Sequence, residues 1–331
     1  MDTSDATPEP IPEATPENPF RHLPVMLDEV LAALEPMPAG AFLDATVGGG
    51  GHAAALLDAR PDCRLIGIDR DAEAIEAAGH RLAAFGERVH LVHAAFRDLS
   101  GVLAHVLGGD PLVGFLFDLG VSSPQLDRSE RGFSYREPGP LDMRMDRRQT
   151  RTAADLVNGS TESELAAILR THADERHAGR IAAALVAARP VTDTRQLADL
   201  VRDAIPAPAR RRGGHPAKRT FQALRIAVND ELAQLPGTLD MAIERLVTGG
   251  RGVVLAYHSG EDRIVKERFD QAATGGCTCP ARLPCGCGAV STARTLRRGA
   301  RLPSDAEQAR NPRAASARLR VLERTNPEKR P

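Results

Sequence analysis

The feature that most constrains this chain is a glycine-rich turn between a short apolar run and a helical one. Phe42–Ala55 reads F-L-D-A-T-V-G-G-G-G-H-A-A-A. Glycines permit positive φ and let a ligand approach the backbone. The helix start behind them offers N–H groups that no intrahelical carbonyl uses. Such a turn works only if a strand delivers it and a helix receives it, and the flanking sequence supplies both repeatedly. Ala41–Asp44, Arg64–Asp69 (RLIGID), Val89–His93 and Leu112–Leu119 (LVGFLFDL) have strand character. Met26–Leu34, Ala53–Ala59 and Ala72–Phe85 carry helical periodicity. Strands alternating with helices predict an α/β fold, a parallel sheet covered by helices on both faces.

The rhythm breaks after the fourth of these strands. Residues 127–215 carry no strand signal, and helices are expected near 152–158, 162–171, 175–188 and 194–204, with Ser160 or Thr161 and Asp193 as N-caps. Strand character returns at Gly252–Tyr257 (GVVLAY) and Arg318–Arg324 (RLRVLER). The expected organisation is a sheet domain over 21–126 and 216–326, interrupted by a helical substrate-recognition domain over 127–215. Residues 1–20, rich in Pro, Glu, Thr and Asp, cannot bury enough apolar surface to order themselves and are expected to form a disordered tail, with a second short tail at 327–331. No apolar run approaches the roughly 20 residues a membrane-spanning helix needs, and the N-terminus lacks the pattern of a secretory signal. A cytoplasmic, reducing setting follows, in which disulfides are rare. The formal net charge of −1 excludes a globally basic protein that coats nucleic acid.

What the glycine turn holds depends on the acids around it. Asp69 ends the second strand in I-G-I-D-R-D, where a carboxylate can accept both ribose hydroxyls of a nucleoside. Two ligand classes fit. Gly48, Gly50 and Ala53 satisfy G-x-G-x-x-A, so an NAD(P)-dependent oxidoreductase is a rival reading. Asp44 tilts the choice, because an acid ahead of the glycines meets the cationic end of S-adenosylmethionine and repels a pyrophosphate. Phe96, just past the third strand, is placed to cover an adenine face, with an ordinary core role as the alternative. A non-catalytic RNA-binding module is a third reading, but it has no use for a nucleoside pocket.

Further motifs converge on one family. They are H-L-P-V-M-L-D-E at His22–Glu29, D-A-T-V-G-G-G-G-H at Asp44–His52, G-I-D-R-D at Gly67–Asp71, and D-L-G-V-S-S-P-Q-L-D at Asp118–Asp127. R-G-F-S-Y begins at Arg131 and G-P-L-D-M-R-M-D ends at Asp146. H-P-A-K-R-T-F-Q-A-L-R-I-A-V-N follows at His215–Asn229, H-S-G-E-D-R-I-V-K at His258–Lys266, and N-P-R-A-A-S-A-R-L-R at Asn311–Arg320. In these motifs the chain resembles the bacterial ribosomal RNA small-subunit methyltransferase H family (RsmH, or MraW). The resemblance implies a Rossmann-like class I methyltransferase with an inserted all-helical domain. It implies S-adenosylmethionine-dependent N4-methylation of a cytidine in the decoding region of 16S rRNA, within the small ribosomal subunit, with no DNA or membrane partner. Family cofactor positions fall on Gly50, Gly51, His52, Asp69, Phe96, Asp118 and Gln125.

The chemistry sets further requirements. A methyl on a sulfonium is already electrophilic and needs in-line approach. A cytosine amine has its lone pair delocalised into the ring, so the site must accept hydrogen bonds from N4 and take up a proton. The D/N/S-P-P-Y/F loop of many amino-methyltransferases is absent. Asp118, Ser122 and Ser123 occupy that stretch as candidate acceptors, unless the serines only shape the turn before Pro124. For RNA, Arg210–Arg219 carries five Lys/Arg, among them Arg211, Arg212 and Arg219. On an expected helix over Thr220–Leu235, Gln222, Arg225 and Asn229 share a polar face directed at the active site or RNA, and His258 joins the candidate contacts. Arg294–Arg320 holds eight Arg against Asp305 and Glu307, a net of +6 that suggests a phosphate-tracking groove, although any single arginine can be merely solvated. Finally, Cys277, Cys279, Cys285 and Cys287 could bind one Zn²⁺. Their C-x-C spacing is tighter than the usual C-x-x-C, so redox-sensitive loop thiols are the plainer reading and no metal is assigned. Cys63 opens a strand and is assigned to packing.

Overall fold

The computed structural model describes residues 24–210, 214–280 and 285–329. The expected tail over 1–20 and the candidate RNA contacts Arg211 and Arg212 lie outside the described residues. The first half runs α1 (Leu27–Leu34), β1 (Gly40–Asp44), α2 (Gly51–Ala59), β2 (Cys63–Asp69), α3 (Ala72–Leu82), β3 (Val89–His93), α4 (Leu99–Leu107), β4 (Leu112–Asp118) and α5 (Ser123–Asp127). Helices α6 (Ala153–Gly159), α7 (Glu162–Ala173), α8 (Ala178–Ala187), α9 (Thr194–Ala204) and α10 (Ala207–Arg210) follow. The remainder is α11 (Lys218–Asn229), α12 (Glu231–Glu244), β5 (Leu246–Ala256), α13 (Ser259–Thr274), β6 (Val290–Thr295), α14 (Asp305–Arg310) and β7 (Arg318–Lys329). Among the described residues no helix is long and apolar enough to cross a membrane.

The strands form one seven-stranded sheet of order β3-β2-β1-β4-β5-β7-β6. The first five are mutually parallel, as the alternation requires, but β7 runs antiparallel to β5 and β6 antiparallel to β7. The wholly parallel expectation fails at this edge because the chain, after β6 and α14, returns between β5 and β6 as β7, antiparallel to both. β6 has no sequence signature. It reads V-S-T-A-R-T and buries only Ala293. It also corrects the expected tail over 327–331, since Val290 and Ser291 pair with Lys329 and Glu328.

Because β1, β2 and β4 are covered on both faces, they read as continuous apolar runs rather than alternating ones. Leu43, Ile66, Phe115 and Phe117 face a core with Leu103, Leu239 and Phe269. Phe42, Leu65 and Leu116 point the other way, onto Val30, Leu57 and Leu82.

The inserted helices have a core of their own. Leu156, Leu165, Leu169, Ile181, Leu185, Leu197 and Val201 are buried together with Phe221, Leu224 and Val228 of α11. That core therefore runs past the expected boundary at 215, because the apolar stripe of α11 packs on α7. Thr161 and Asp193 cap α7 and α9 through backbone N–H groups of Glu164 and Gln196. The single helix expected over Thr220–Leu235 is two helices, broken at Asp230 in the left-handed region (φ 51°). The break has a use. Val228 belongs to the helical core and Leu235 to the sheet core, so the chain must turn between them.

Polar clamps tie the two parts together. Asn229 is fully buried; its Nδ2 donates to Met143 O (2.7 Å) and Arg225 O (2.9 Å), and its Oδ1 accepts from Met145 N (2.8 Å). Its expected role as an RNA contact is thereby corrected: all its bonding capacity near α11 is spent inside the protein. Arg131, also buried, donates to Asp71 Oδ2 (2.8 Å) and to Met145 O (3.2 Å). Replacing Asn229 by Ala leaves a buried carbonyl and a buried N–H unsatisfied, so Asn229→Ala is expected to lower unfolding free energy by roughly 2–4 kcal/mol. Urea denaturation followed by circular dichroism checks this, and a midpoint indistinguishable from the parent would refute the clamp.

Candidate functional site

Strands β1, β2 and β4 each end in aspartate at the same edge of the sheet, where the parallel register sets Asp44 beside Gly67 and Leu116. Asp69 and Asp118 line a cleft of about 1580 Å³, as does the glycine turn through Gly48, Gly49 and Gly51, whereas the predicted cofactor residues Asp44, which is buried, and Gly50 are not on the cleft surface. In open α/β sheets the carboxyl ends of the strands are where ligands bind. Asp69 holds the turn: its Oδ2 accepts from Gly48 N (2.9 Å) and its Oδ1 from Asp71 N (2.9 Å). Gly50, the residue before α2, sits at φ 76°, and a Cβ there would lie 3.2 Å from Leu82. Only glycine accepts that backbone without strain.

The three acids are crowded and poorly solvated. Burial pushes Asp44 up to about 8, repulsion from Asp118 and Asp69 adds to it, and the N–H of Thr46 (3.1 Å) opposes it. Burial likewise lifts Asp69 to about 6, against the stabilising N–H groups of Asp71 and Gly48. Asp118 is raised by burial, with His52 and Tyr257 pulling the other way. Its Oδ2 lies 3.7 Å from His52 Nδ1, and its backbone N–H donates to Thr46 Oγ1 (2.6 Å). The hydroxyl of Tyr257 donates to Asp118 Oδ1 at 2.6 Å. Burial first, and then the neighbouring Asp118, hold that phenol well above its ordinary range, so it stays a donor. Tyr257 escapes the sequence reading, although it ends the GVVLAY run, because its partner is 139 positions away. The signal lies in strand order. Asp118 is in register with Leu255 on β5, so the residue two beyond reaches it.

The remaining candidates divide. Gly51, His52, Phe96, Ser122, Ser123 and Gln125 all line the cleft. Phe96 also packs on Phe117 (centroids 5.5 Å apart), so it is at once a core and a cleft residue. Gln125 is buried, with Oε1 accepting from Ser122 N (3.1 Å) and Nε2 donating to Asp71 Oδ2 (2.9 Å), so its amide chiefly shapes the loop. Arg225 lines the cleft, but its guanidinium is engaged inside the protein. It makes a two-pronged pair with Glu231 (2.8 and 2.9 Å) and lies 4.0 Å from Glu261. His258 also lines the cleft, and its Nδ1 accepts from Gly260 N and Glu261 N, which makes it the cap of α13. Arg219 and Gln222 donate to the carbonyls of Asp174 and His172 at the end of α7, and Gln222 still lines the cleft. The net +6 of the C-terminal arginines is largely neutralised by acids outside that segment. Arg294 pairs with Glu323, Arg301 with Glu29, Arg313 with Asp127, and Arg318 and Arg320 with Asp262.

A second cavity, of about 630 Å³, opens on the helical part beside Arg136, Arg195, Arg202 and Lys218. Tyr135 and His215 stack there at 4.3 Å, and Tyr135, Arg136 and Lys218 line both cavities. Arg136 and Arg195 carry no motif that would mark them in the sequence.

The donor set decides between the two cofactor classes. A dinucleotide would bring its anionic pyrophosphate to a glycine turn beside Asp118, whereas a nucleoside sulfonium would bring a cation there; Asp69 could meet ribose hydroxyls in either class. The sheet order and this acidic, glycine-bounded cleft define a class I S-adenosylmethionine-dependent methyltransferase. The sequence profile of the MraW methylase family matches residues 19–325, and the chain belongs to that family. Among similar proteins, the ribosomal RNA small subunit methyltransferase H of Thermobifida fusca (strain YX) is 54% identical over 312 residues, covering 92% of this chain and 93% of the relative. The protein of that name from Acidothermus cellulolyticus (strain ATCC 43068 / DSM 8971 / 11B) is 55% identical over 309 residues, with the same coverage of each chain.

The raised acids make cofactor binding pH-dependent. Both groups have folded pKa values above the ordinary 3.8, so their neutral forms contribute stability that is present below about pH 4 and lost as pH rises through about 6 for Asp69 and about 8 for Asp44. A cation favours the ionised forms. Affinity for S-adenosylmethionine is therefore expected to strengthen from pH 5.5 toward 8 (roughly the span of the two pKa values), with proton release, and Asp69→Asn to weaken binding about tenfold or more while flattening the acid limb. Calorimetry in buffers of differing ionisation enthalpy reads both; a dissociation constant flat across that range would contradict the argument.

Proposed function

We propose that this methyltransferase acts on the small-subunit ribosomal RNA, transferring a methyl group from S-adenosylmethionine to N4 of a cytidine in the decoding region, within the assembled small subunit. The observation that carries the reading is the Asp118–Tyr257 hydrogen bond at the inner end of the cleft. It fixes one carboxylate oxygen and leaves the other beside His52, on the cleft wall. An amine whose lone pair is delocalised needs such an acceptor as its nitrogen becomes tetrahedral. The raised pKa of Asp118 suits it to take the proton afterwards. S-adenosylmethionine supplies an electrophilic methyl; the protein's task is to align the amine in line with it and exclude water. Ser122 and Ser123 border Asp118 at the start of α5 and are assigned to holding the base edge.

The cleft exceeds the roughly 300–1,000 Å³ of ordinary small-ligand sites, which supports room for an extruded nucleotide beside the cofactor. A base inside a stacked helix cannot reach the sulfonium, so it must be flipped or unpaired. Arg136, Arg195 and Lys218 would follow the backbone, and the Tyr135–His215 pair offers a stacking surface for a neighbouring base. We assign substrate recognition to the helical unit on this ground, with α11 shared. The relatives' names, which specify small-subunit ribosomal RNA, support the substrate class.

The decisive measurement is nucleoside mass spectrometry of 16S rRNA from a deletion strain. N4-methylcytidine at the decoding site is expected to disappear and to return with the wild-type gene but not with Asp118→Asn. In single-turnover assays at saturating cofactor Asp118→Asn is expected to lose about 10²–10⁴-fold in rate. Persistence of the modified nucleoside in the deletion strain would sink the assignment. A Ser123→Ala enzyme with an unaltered single-turnover rate would remove Ser123 from the chemistry.

A further inference from the structure

We propose that Cys277, Cys279, Cys285 and Cys287 form a closed tetrathiolate site for one Zn²⁺ that staples the crossover between α13 and β6. The four Sγ atoms lie within 4.8 Å of one another, the nearest pairs being Cys285–Cys287 at 3.3 Å and Cys277–Cys285 at 3.5 Å. Four sulfurs held tetrahedrally at about 2.3 Å from zinc stand about 3.8 Å apart, a value inside this range. A disulfide requires about 2.05 Å, and all four thiols are free. The tight C-x-C spacing, which counts against the usual zinc knuckle, is accommodated because two short arms of one loop converge.

The surroundings say what the metal would do. None of the described loop residues 277–280 and 285–289 is buried, so apolar packing does not hold them. The ends of the loop nevertheless meet: Gly275 has φ 62°, and a Cβ there would stand 2.4 Å from Val290 O. A chain segment that closes on itself without a core is where a metal replaces hydrophobic burial. Thiolates select zinc over magnesium or calcium. Binding releases one proton from each of the four thiols and forms four Zn–S bonds without any change of oxidation state. No cysteine of the cluster lines the cleft, and four protein ligands leave no open position. The site is therefore structural, and it reverses the metal-free assignment made from spacing alone.

The test uses the full chain, expressed without added metal and purified without chelator. Elemental analysis is expected to find about one zinc per chain, falling to background in the Cys285→Ser/Cys287→Ser variant. Because that variant can fail to fold, the wild type is also stripped by chelator under reducing conditions and titrated with CoCl₂. Thiolate-to-cobalt charge-transfer bands with the strong visible absorption of a tetrahedral centre are expected, and ZnCl₂ should abolish them. Protein that carries no zinc as purified and shows no thiolate–cobalt band overturns the proposal. Iron with inorganic sulfide in place of zinc overturns it equally.

Discussion

Three buried carboxylates at the ends of neighbouring strands set the terms for the rest of this molecule. A parallel sheet brings the carboxyl ends of β1, β4 and β2 to one edge, and each of these strands ends in aspartate. In water such neighbours would spread apart. Here the strands cannot, because Phe42, Leu43, Ile66, Phe115 and Leu116 lock them into two covered faces. The carboxylates' burial appears as raised pKa values, strongest at Asp44, where repulsion from Asp118 and Asp69 adds to it. Backbone and hydroxyl donors from Thr46, Gly48, Asp71 and Tyr257 offset part of it. A cation bound at the cleft would offset more, which would couple its affinity to the stability of the strand ends.

What the sequence makes legible follows from range. Asp44, Asp69 and Asp118 are readable because each terminates an apolar run, and strands buried on both faces leave that pattern undisguised. The helical insertion is readable because the strand signal stops for so long. The errors share the opposite property: each depends on a partner distant in sequence. Arg225 and Asn229 lie on a polar helix face, which in isolation looks directed at a ligand; Glu231 lies beyond an unforeseen helix break, and the carbonyl of Met143 and the N–H of Met145 come from a loop more than 80 positions away. The charge sum over Arg294–Arg320 fails for the same reason, since Glu29, Asp127, Asp262 and Glu323 fall outside it. Tyr257 could be found only by knowing that β5 lies beside β4.

The helical unit is not a loose appendage. Buried Arg131 grips Asp71, two residues past Asp69, and also holds the carbonyls of Arg144 and Met145, while Gln125 takes the same Asp71 oxygen. Asn229 binds the far side of that loop at Met143 and Met145. The turn that holds Asp69 and the entry into the insertion are thus one hydrogen-bonded body. Breaking a buried pair such as Arg131–Asp71 costs about 3–5 kcal/mol, comparable with a large part of a domain's net stability. A hinge at this junction is therefore an expensive way to admit RNA. The exposed rim, where Arg136 and Lys218 stand over both cavities, carries no such burden. Under the proposed function, adjustment to the substrate would cost least at that rim, leaving the hydrogen-bonded body around Asp69 and Asp71 intact.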